Sequence, residues 1–216
     1  MSSNIIPLMW NAVANDNKEL VMTLIANKCD IERGGFTKGM YTTKYTTPLC
    51  KAVDDGHNEM VKVLLRGNAD MLPSIRDYTP LHRAVRNGFF AIVKTLLEHK
   101  RGVQCNDQLL ARFTNDQLHG GNMALHFAVS TNIMDETNSS VNRFKTVETL
   151  ISHGADVHVP DMDGFSPIQT VESRIERMKE SIRRMNMQLD KRGGHDRILE
   201  MRQEMDNFLK IRELLG

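Results

Sequence analysis

The chain has 216 residues, of which 40% are hydrophobic and 25% charged, and its formal net charge is +1. This length suits one globular or solenoid unit, and the near-neutral charge provides no general attraction to nucleic acid or to an anionic membrane. No apolar run approaches the roughly 18 residues of a membrane span, and the N-terminus shows no signal-peptide pattern. We therefore expect a soluble protein that binds neither nucleic acid nor membrane.

The residue types that support catalysis or metal binding are scattered. Cys29, Cys50 and Cys105 lie far apart without C-x-x-C spacing, which argues against a zinc site and a disulfide framework and favours the reducing cytoplasm. The histidines lack H-E-x-x-H spacing, and neither a G-x-S-x-G motif nor a P-loop occurs. We therefore expect no enzyme activity, no metal and no cofactor.

Residues 8–31 predict two short helices joined by a turn, with an apolar stripe in residues 20–25. Trp10 lies in the first of these helices. Its ring either contacts a partner or, as we favour, packs against the next repeat of the chain.

Residues 31–46 form a long glycine-containing connection without P-loop spacing, and we interpret it as an extended hairpin finger. Its large side chains either anchor a partner or cover the neighbouring helices, since aromatic residues on loops are favoured at interfaces. These side chains are Phe36, Met40, Tyr41 and Tyr45.

The most regular stretch, residues 79–97, reads as a helical hairpin. Thr79 suits an N-cap, Pro80 the first helical position and Gly88 a left-handed helix end. The same pattern occurs 32 residues earlier, where Ala52 takes the place of Ala84. Two such short helices cannot bury their apolar faces alone, so repeated copies are expected to stack.

The T-P-L-H-x-A core and its spacing resemble the ankyrin repeat, which has a period of about 33 residues. The resemblance implies an all-α solenoid of helix-turn-helix units with short β-hairpin fingers, and structural roles for His82 and His126. It places repeats at about 5–32, 43–71, 75–103, 117–157 and 159–172, within a domain of residues 1–170.

The chain departs from the family pattern at its turns and between its repeats. Where the family has a glycine, the second repeat has Asn68, which tolerates a left-handed backbone. The first and third repeats have Lys28 and Lys100 at that place, and we expect strained or reshaped turns there. Two insertions lie at about 104–116 and 132–145. We expect a short helix in the first and, because residues 135–140 are polar, a solvated loop in the second.

Residues 171–216 are predicted to form an antiparallel helical hairpin that caps the solenoid. Apolar residues recur at steps of three and four through residues 175–189 and 198–215, with a glycine turn between the two runs. The second run includes Leu214 and Leu215. The many methionines of both helices are expected to pack within the helix pair.

The resemblance implies a non-enzymatic module that binds another protein through a concave face of fingers and inner helices. We expect the chain to be a monomer. The irregular repeats would suit a host-directed effector acting in a host-cell cytosol. The alternative is a structural or assembly protein that self-associates through its C-terminal helix pair.

The candidate partner-binding residues combine fingers with inner helices. Asp54 and Asp55 lie one repeat from Arg83 and Arg86, which predicts a bipolar patch and salt-sensitive association. The full set is Tyr45, Lys51, Asp54, Asp55, Arg76, Tyr78, Arg83, Arg86, Asn87, Asn122, Phe127, Met162 and Phe165.

Overall fold

The computed structural model describes residues 8–38, 43–71, 79–102, 124–130, 139–161, 163–188 and 195–216. The internal contacts divide the chain into two compact units, an N-terminal unit (Met1–Asn106) and a C-terminal unit (Asp107–Gly216). Both units are built mainly from helices, which confirms the predicted fold class.

Three helix-turn-helix pairs make up the described part of the N-terminal unit. The inner helices α1, α3 and α5 contact one another in succession, and so do the outer helices α2, α4 and α6. Their bounds are α1 (Leu8–Ala14), α2 (Lys18–Ala26), α3 (Pro48–Asp54), α4 (Asn58–Arg66), α5 (Pro80–Arg86) and α6 (Phe90–Gly102). The two layers enclose a continuous apolar core, as stacked repeats require.

This core is formed by the same positions of successive repeats. Burying each large aliphatic side chain contributes about 1.5–3 kcal/mol relative to leaving it in water. The fully buried side chains include Leu49, Ala52, Val53, Met60, Val61, Leu64, Leu81, Ala84, Val93, Leu96 and Leu97.

The inner helices α3 and α5 begin at threonine caps, as the sequence predicts. The Thr47 hydroxyl accepts the backbone N–H of Cys50 at 3.2 Å, and the Thr79 hydroxyl accepts that of His82 at 3.4 Å. A proline follows each threonine at a position where its missing N–H costs nothing. The Thr79 hydroxyl also lies 2.7 Å from Nδ1 of the buried His82, which therefore has a structural role here.

The turns after the outer helices differ in the way that the sequence predicts. Asn68 has a φ of 64°, in the left-handed region that asparagine tolerates. Lys28 has a φ of 57° and bears the steric cost of a longer side chain there. At Lys100 the turn is reshaped, because α6 continues to Gly102.

The long connection after α2 is a hairpin, as expected. Its strands β1 (Gly35–Lys38) and β2 (Thr43–Thr46) are antiparallel, with Gly35 opposite Thr46. A Cβ atom on Gly35 would lie 2.7 Å from the ring of Trp10, which is buried. Trp10 is therefore buried in the protein, as favoured, but the contact shown is with the hairpin that connects the first two repeats and not with the next repeat itself.

The C-terminal unit contains four described helices. They are α7 (Ala124–Ser130), α8 (Ser139–Ser152), α9 (Pro167–Gln188) and α10 (His195–Leu215). Helix α7 contacts α8 and α9, and α10 contacts the same two helices.

Helix α9 runs without interruption for 22 residues from the fifth repeat motif into the predicted helix pair. The sequence boundary at 170/171 therefore lies inside one helix. Ile175, Met178 and Ile182 are buried, as the first apolar run predicts.

Four of the eight apolar residues in the second predicted run, which lies on helix α10, are buried. Phe208, Ile211 and Leu215 are buried, but Leu214 is 37% exposed, so its assignment to the buried seam is wrong. Because successive helical residues are about 100° apart, the inward direction of Leu215 turns its neighbour Leu214 away from the core.

The insertion at about 132–145 is helical in its second part, which corrects the prediction of a solvated loop. Residues 139–145 belong to α8, and Arg143 is only 3% exposed. Arg143 lies four and seven residues before the buried Val147 and Leu150, so the buried stripe of the helix continues through it. Residues 132–138 and the helix predicted in 104–116 lie outside the described residues.

A charged cluster around Phe208 links the four described helices of the C-terminal unit. The guanidinium carbons of Arg143 and Arg174 each lie 4.9 Å from the centre of the Phe208 ring. Glu204 Oε1 lies 3.2 Å from Arg143 Nη1 and 3.7 Å from Arg174 Nη2, and Arg174 also donates to the Ser130 carbonyl at 2.6 Å. Burial lowers the pKa of both arginines, and Glu204 opposes this shift.

Candidate protein-binding face

Six of the predicted partner-binding residues lie on, or at the end of, the adjacent helices α3 and α5. The buried sides of these helices face the core, so their polar residues occupy the remaining surface. We call this set the inner face. It consists of Lys51, Asp54, Asp55, Arg83, Arg86 and Asn87.

An ion pair between Asp54 and Arg83 links the two helices. Arg83 Nη1 lies 2.5 Å from Asp54 Oδ2, and the two side chains are 13% and 33% exposed, respectively. Burial raises the pKa of Asp54, and the adjacent Arg83 guanidinium opposes this shift. Arg83 is therefore a link between neighbouring repeats as well as a member of the inner face.

Lys51 and Asp55 form a second pair within one repeat. Lys51 Nζ lies 2.6 Å from Asp55 Oδ1, one helical turn further along α3. Together with the Asp54–Arg83 pair, this contact places opposite charges side by side over short distances. These two contacts pair four charged side chains of the inner face with one another, while α3 keeps an acidic excess and α5 a basic excess.

Arg86 and Asn87 are the most exposed members of the inner face. Arg86 is the last residue of α5, and Asn87 is its C-cap. Both side chains are exposed, whereas the next residue, Gly88, is buried. They project at the end of a helix whose position is fixed on the opposite side by the core.

The turns after the inner helices hold neighbouring repeats at close range. Gly56 has a φ of 74°, and a Cβ atom there would lie 3.2 Å from the Phe89 ring of the next repeat. Asp16, which takes the place of Gly56 in the first repeat, has a φ of 50° and lies 3.8 Å from His57 Nδ1. These contacts restrict sliding between repeats, so the inner face is preorganised.

In the C-terminal unit, a rigid turn presents the predicted residue Phe165. The Asp161 carboxylate accepts the backbone N–H of Phe165 at 2.9 Å, and the backbone N–H of Asp161 donates to the Phe165 carbonyl at 2.9 Å. His126 Nε2 donates to the same carbonyl at 3.1 Å. The Phe165 side chain remains exposed, whereas Phe127 on α7 is half-buried.

His126 has the structural role that the resemblance implies. Burial lowers its pKa, and the hydrogen bond to the Phe165 carbonyl opposes this shift. A carbonyl only accepts hydrogen bonds, so the proton is on Nε2. The histidine therefore fixes the backbone of the turn that carries Phe165.

The other predicted face residues stay predictions. Only the backbone of Tyr45 is described, opposite Phe36 in the hairpin. The remaining predicted positions, Arg76, Tyr78, Asn122 and Met162, lie outside the described residues.

The described part of the chain shows no group of three or more histidine, cysteine, aspartate or glutamate side chains arranged to hold a metal ion. Among the same residues, no helix is both long and apolar enough to cross a membrane.

Family models for ankyrin repeats match residues in both the N-terminal and the C-terminal unit. A family model for ankyrin repeats, in three copies, matches residues 8–109, and a model for the single ankyrin repeat matches residues 120–162. No curated protein matches the chain. Ankyrin repeats are protein–protein interaction modules and are generally non-enzymatic. The chain belongs to the ankyrin repeat family.

Proposed function

We propose that the chain is a non-enzymatic module that binds a partner protein through the inner face of its N-terminal unit. The observation that supports this proposal most strongly is the alignment of six polar side chains on two stacked helices held by the Asp54–Arg83 pair. A surface fixed in this way loses little conformational entropy when a partner binds.

The charge pattern of the inner face defines the partner that fits it. Lys51 and Arg83 each lie beside a carboxylate, so a partner gains most if it presents alternating charges in the complementary order. Surface charges are screened over about 8 Å at physiological salt. Association is therefore expected to slow as salt is added.

Phe165 provides a contact of a different kind in the C-terminal unit. Its backbone is fixed by Asp161 and His126, while its ring is exposed. Aromatic side chains are enriched at protein interfaces, and a fixed backbone lowers the cost of ordering the ring. We propose that Phe165 is a partner contact of that unit.

The test is affinity capture with the full chain and two matched double variants. Arg86→Glu with Asn87→Arg changes the inner face, and Lys94→Glu with Asn27→Arg makes the same two changes of charge on α6 and at the end of α2. Arg83 is left in place because its loss would also break a link between repeats. We expect the first variant to lose partners that the wild type and the second variant retain.

Both variants should keep the wild-type circular dichroism, since all four positions are exposed. Equal capture by the two variants would refute the assignment of the inner face. The identity of a captured protein also tests whether the chain is a host-directed effector acting in a host cytosol, which is a proposal from the irregular repeats.

A further inference from the structure

The turn between α1 and α2 has a carboxylate where the next two repeats have a glycine. Asp16, Gly56 and Gly88 occupy the same place in successive repeats, and their φ angles are 50°, 74° and 74°. A residue with a side chain bears a steric cost in this left-handed region, whereas glycine does not. The Asp16 carboxylate is therefore the part of this turn that a glycine could not supply.

The Asp16 carboxylate lies between a lysine of its own repeat and a histidine of the next repeat. Lys18 Nζ donates to Asp16 Oδ2 at 2.7 Å. The other oxygen, Asp16 Oδ1, lies 3.8 Å from His57 Nδ1. Both of these atoms are buried, and neither has a hydrogen bond in the part of the chain that the structure describes. Since a buried polar atom without a hydrogen bond is costly, a proton between these two atoms would satisfy both.

The charge state of His57 determines whether the two atoms attract each other. A neutral histidine carries a proton on one ring nitrogen only, and with this proton on Nε2 the His57 Nδ1 atom is an acceptor that faces another acceptor. A protonated histidine has N–H groups on both nitrogens. His57 Nδ1 then donates to Asp16 Oδ1, and the two side chains have opposite charges.

The charged residues of α2 and α4 oppose one another around His57. Lys18 opposes a positive charge on His57, as does the positive end of the α4 dipole, because α4 begins directly after His57. Glu19 and Glu59 lie in the first turns of α2 and α4 and favour a positive charge. A hydrogen bond from Lys62 and the nearby charge of Lys18 lower the pKa of Glu59, which therefore stays ionised.

The elements on the other side of His57 contribute less. Asp55 ends α3, and Lys51 Nζ lies 2.6 Å from its carboxylate, so its charge is balanced. The turn that follows Arg86 places the uncharged ring of Phe89 against Gly56. Asp16 is therefore the carboxylate whose direct contact changes when His57 gains a proton.

We propose that Asp16 and His57 form a pH-sensitive link between the first two repeats, which closes when His57 is protonated. The link holds the α1–α2 turn against the start of α4. It stabilises the folded first repeat at acidic pH, and this contribution is lost as the pH rises through the range in which histidines lose their proton, near about pH 6.5. Neither residue belongs to the inner face, so this proposal and the proposed function stand or fall separately.

The test is a double-mutant cycle on the full chain at about pH 5.5 and about pH 8, on either side of the histidine range. Urea unfolding is followed by the emission of Trp10, which lies in α1 and reports on the first repeat. Asp16→Asn removes the charge and suits a left-handed backbone. His57→Phe introduces the residue type that Phe89 provides at the same place in the next repeat.

We expect the two substitutions to be coupled by about two- to fivefold in the unfolding equilibrium constant at the acidic pH, as in partly exposed ion pairs. At the basic pH the coupling should fall below about 1.5-fold, because the neutral ring has no charge to pair. Asp16→Gly gives a second version of the cycle, with the residue that the next two repeats have at this place.

Lys51→Gln with Asp55→Asn is the matched control cycle, since this pair lies in the same unit and contains no histidine. Its coupling should change little between the two pH values, because lysine and aspartate keep their charges over this range. The proposal is overturned if the Asp16–His57 coupling is absent at the acidic pH or equal at both. It is also overturned if the control coupling changes with pH as strongly as that of Asp16 and His57.

Discussion

Replacing Arg83 with alanine should destabilise the N-terminal unit more than replacing Arg86. The Arg83 side chain is 13% exposed and its partner Asp54 is 33% exposed, so the pair lies between a surface pair and a buried pair. Surface pairs contribute about 0–1 kcal/mol, and breaking a buried pair costs about 3–5 kcal/mol. We therefore expect a loss of about 1–3 kcal/mol for Arg83→Ala, and no more than the surface-pair value of about 1 kcal/mol for Arg86→Ala, whose side chain is exposed.

The loss should depend on pH in a defined direction. Burial raises the pKa of Asp54 and Arg83 opposes this shift, so removing Arg83 raises the pKa further. A carboxyl group whose pKa is higher in the folded than in the unfolded protein destabilises the folded state at a pH where it is ionised in both. This penalty becomes smaller as the pH falls through the pKa of the carboxyl group in the folded protein. Arg83→Ala should therefore cost most near neutral pH and less as the pH approaches the unfolded value of about 3.9.

Urea unfolding monitored by the fluorescence of Trp10 measures this loss. Trp10 is the single tryptophan of the chain and is buried in the N-terminal unit. Asp54→Asn supplies the second background of a double-mutant cycle, because it removes the charge while keeping the size. In this background Arg83→Ala should cost less and should lose most of its pH dependence.

Two results would refute this reasoning. One is equal stability of Arg83→Ala and Arg86→Ala near neutral pH. The other is an Arg83→Ala cost that is the same with Asp54 as with asparagine at that position, since the pair would then have no coupling energy.

Three further substitutions test the packing. Lys28→Gly should raise stability by about 0.5–1 kcal/mol in the same urea assay by relieving a φ of 57°, and a lower midpoint would contradict the assigned strain. Gly35→Ala should lower the free energy of unfolding by about 1–3 kcal/mol and shift the fluorescence emission of Trp10, since the added Cβ would lie 2.7 Å from the Trp10 ring. Unchanged emission would argue against this contact. Phe208→Ala should lower the free energy of unfolding of the C-terminal unit by about 3–5 kcal/mol and lower the helix content measured by circular dichroism. A variant as thermally stable as the wild type would show that the cluster of Arg143, Arg174 and Phe208 is not central to that unit.

The repeat fold was predictable because its signals are local. Thr79, Pro80 and Gly88 determine where a helix begins and ends through contacts within a few residues, and the interval of 32 residues repeats them. Arg143 was missed because the polar run of residues 135–140 suggested that the whole insertion is a loop. The signal was present in its spacing of four and seven residues from Val147 and Leu150, which continues the buried side of α8.

The charges of the candidate site were predictable, but their pairing was not. Asp54 and Arg83 are 29 residues apart, close to one repeat, yet the sequence does not specify which side chains meet between stacked helices. That depends on the approach of α3 to α5, which the core and the Gly56 turn set. Leu214 illustrates the same limit, because a single helical step separates a buried leucine from an exposed one.

Site-specific photocrosslinking tests the central claim, binding through the inner face, most directly. A photoreactive residue is placed at Asn87 on the inner face or at Asn27 on an outer helix, both of which are exposed C-cap positions. We predict that the captured partner forms a covalent adduct from position 87 and not from position 27. An adduct from position 27 alone, or equal adducts from both positions, would contradict the claim.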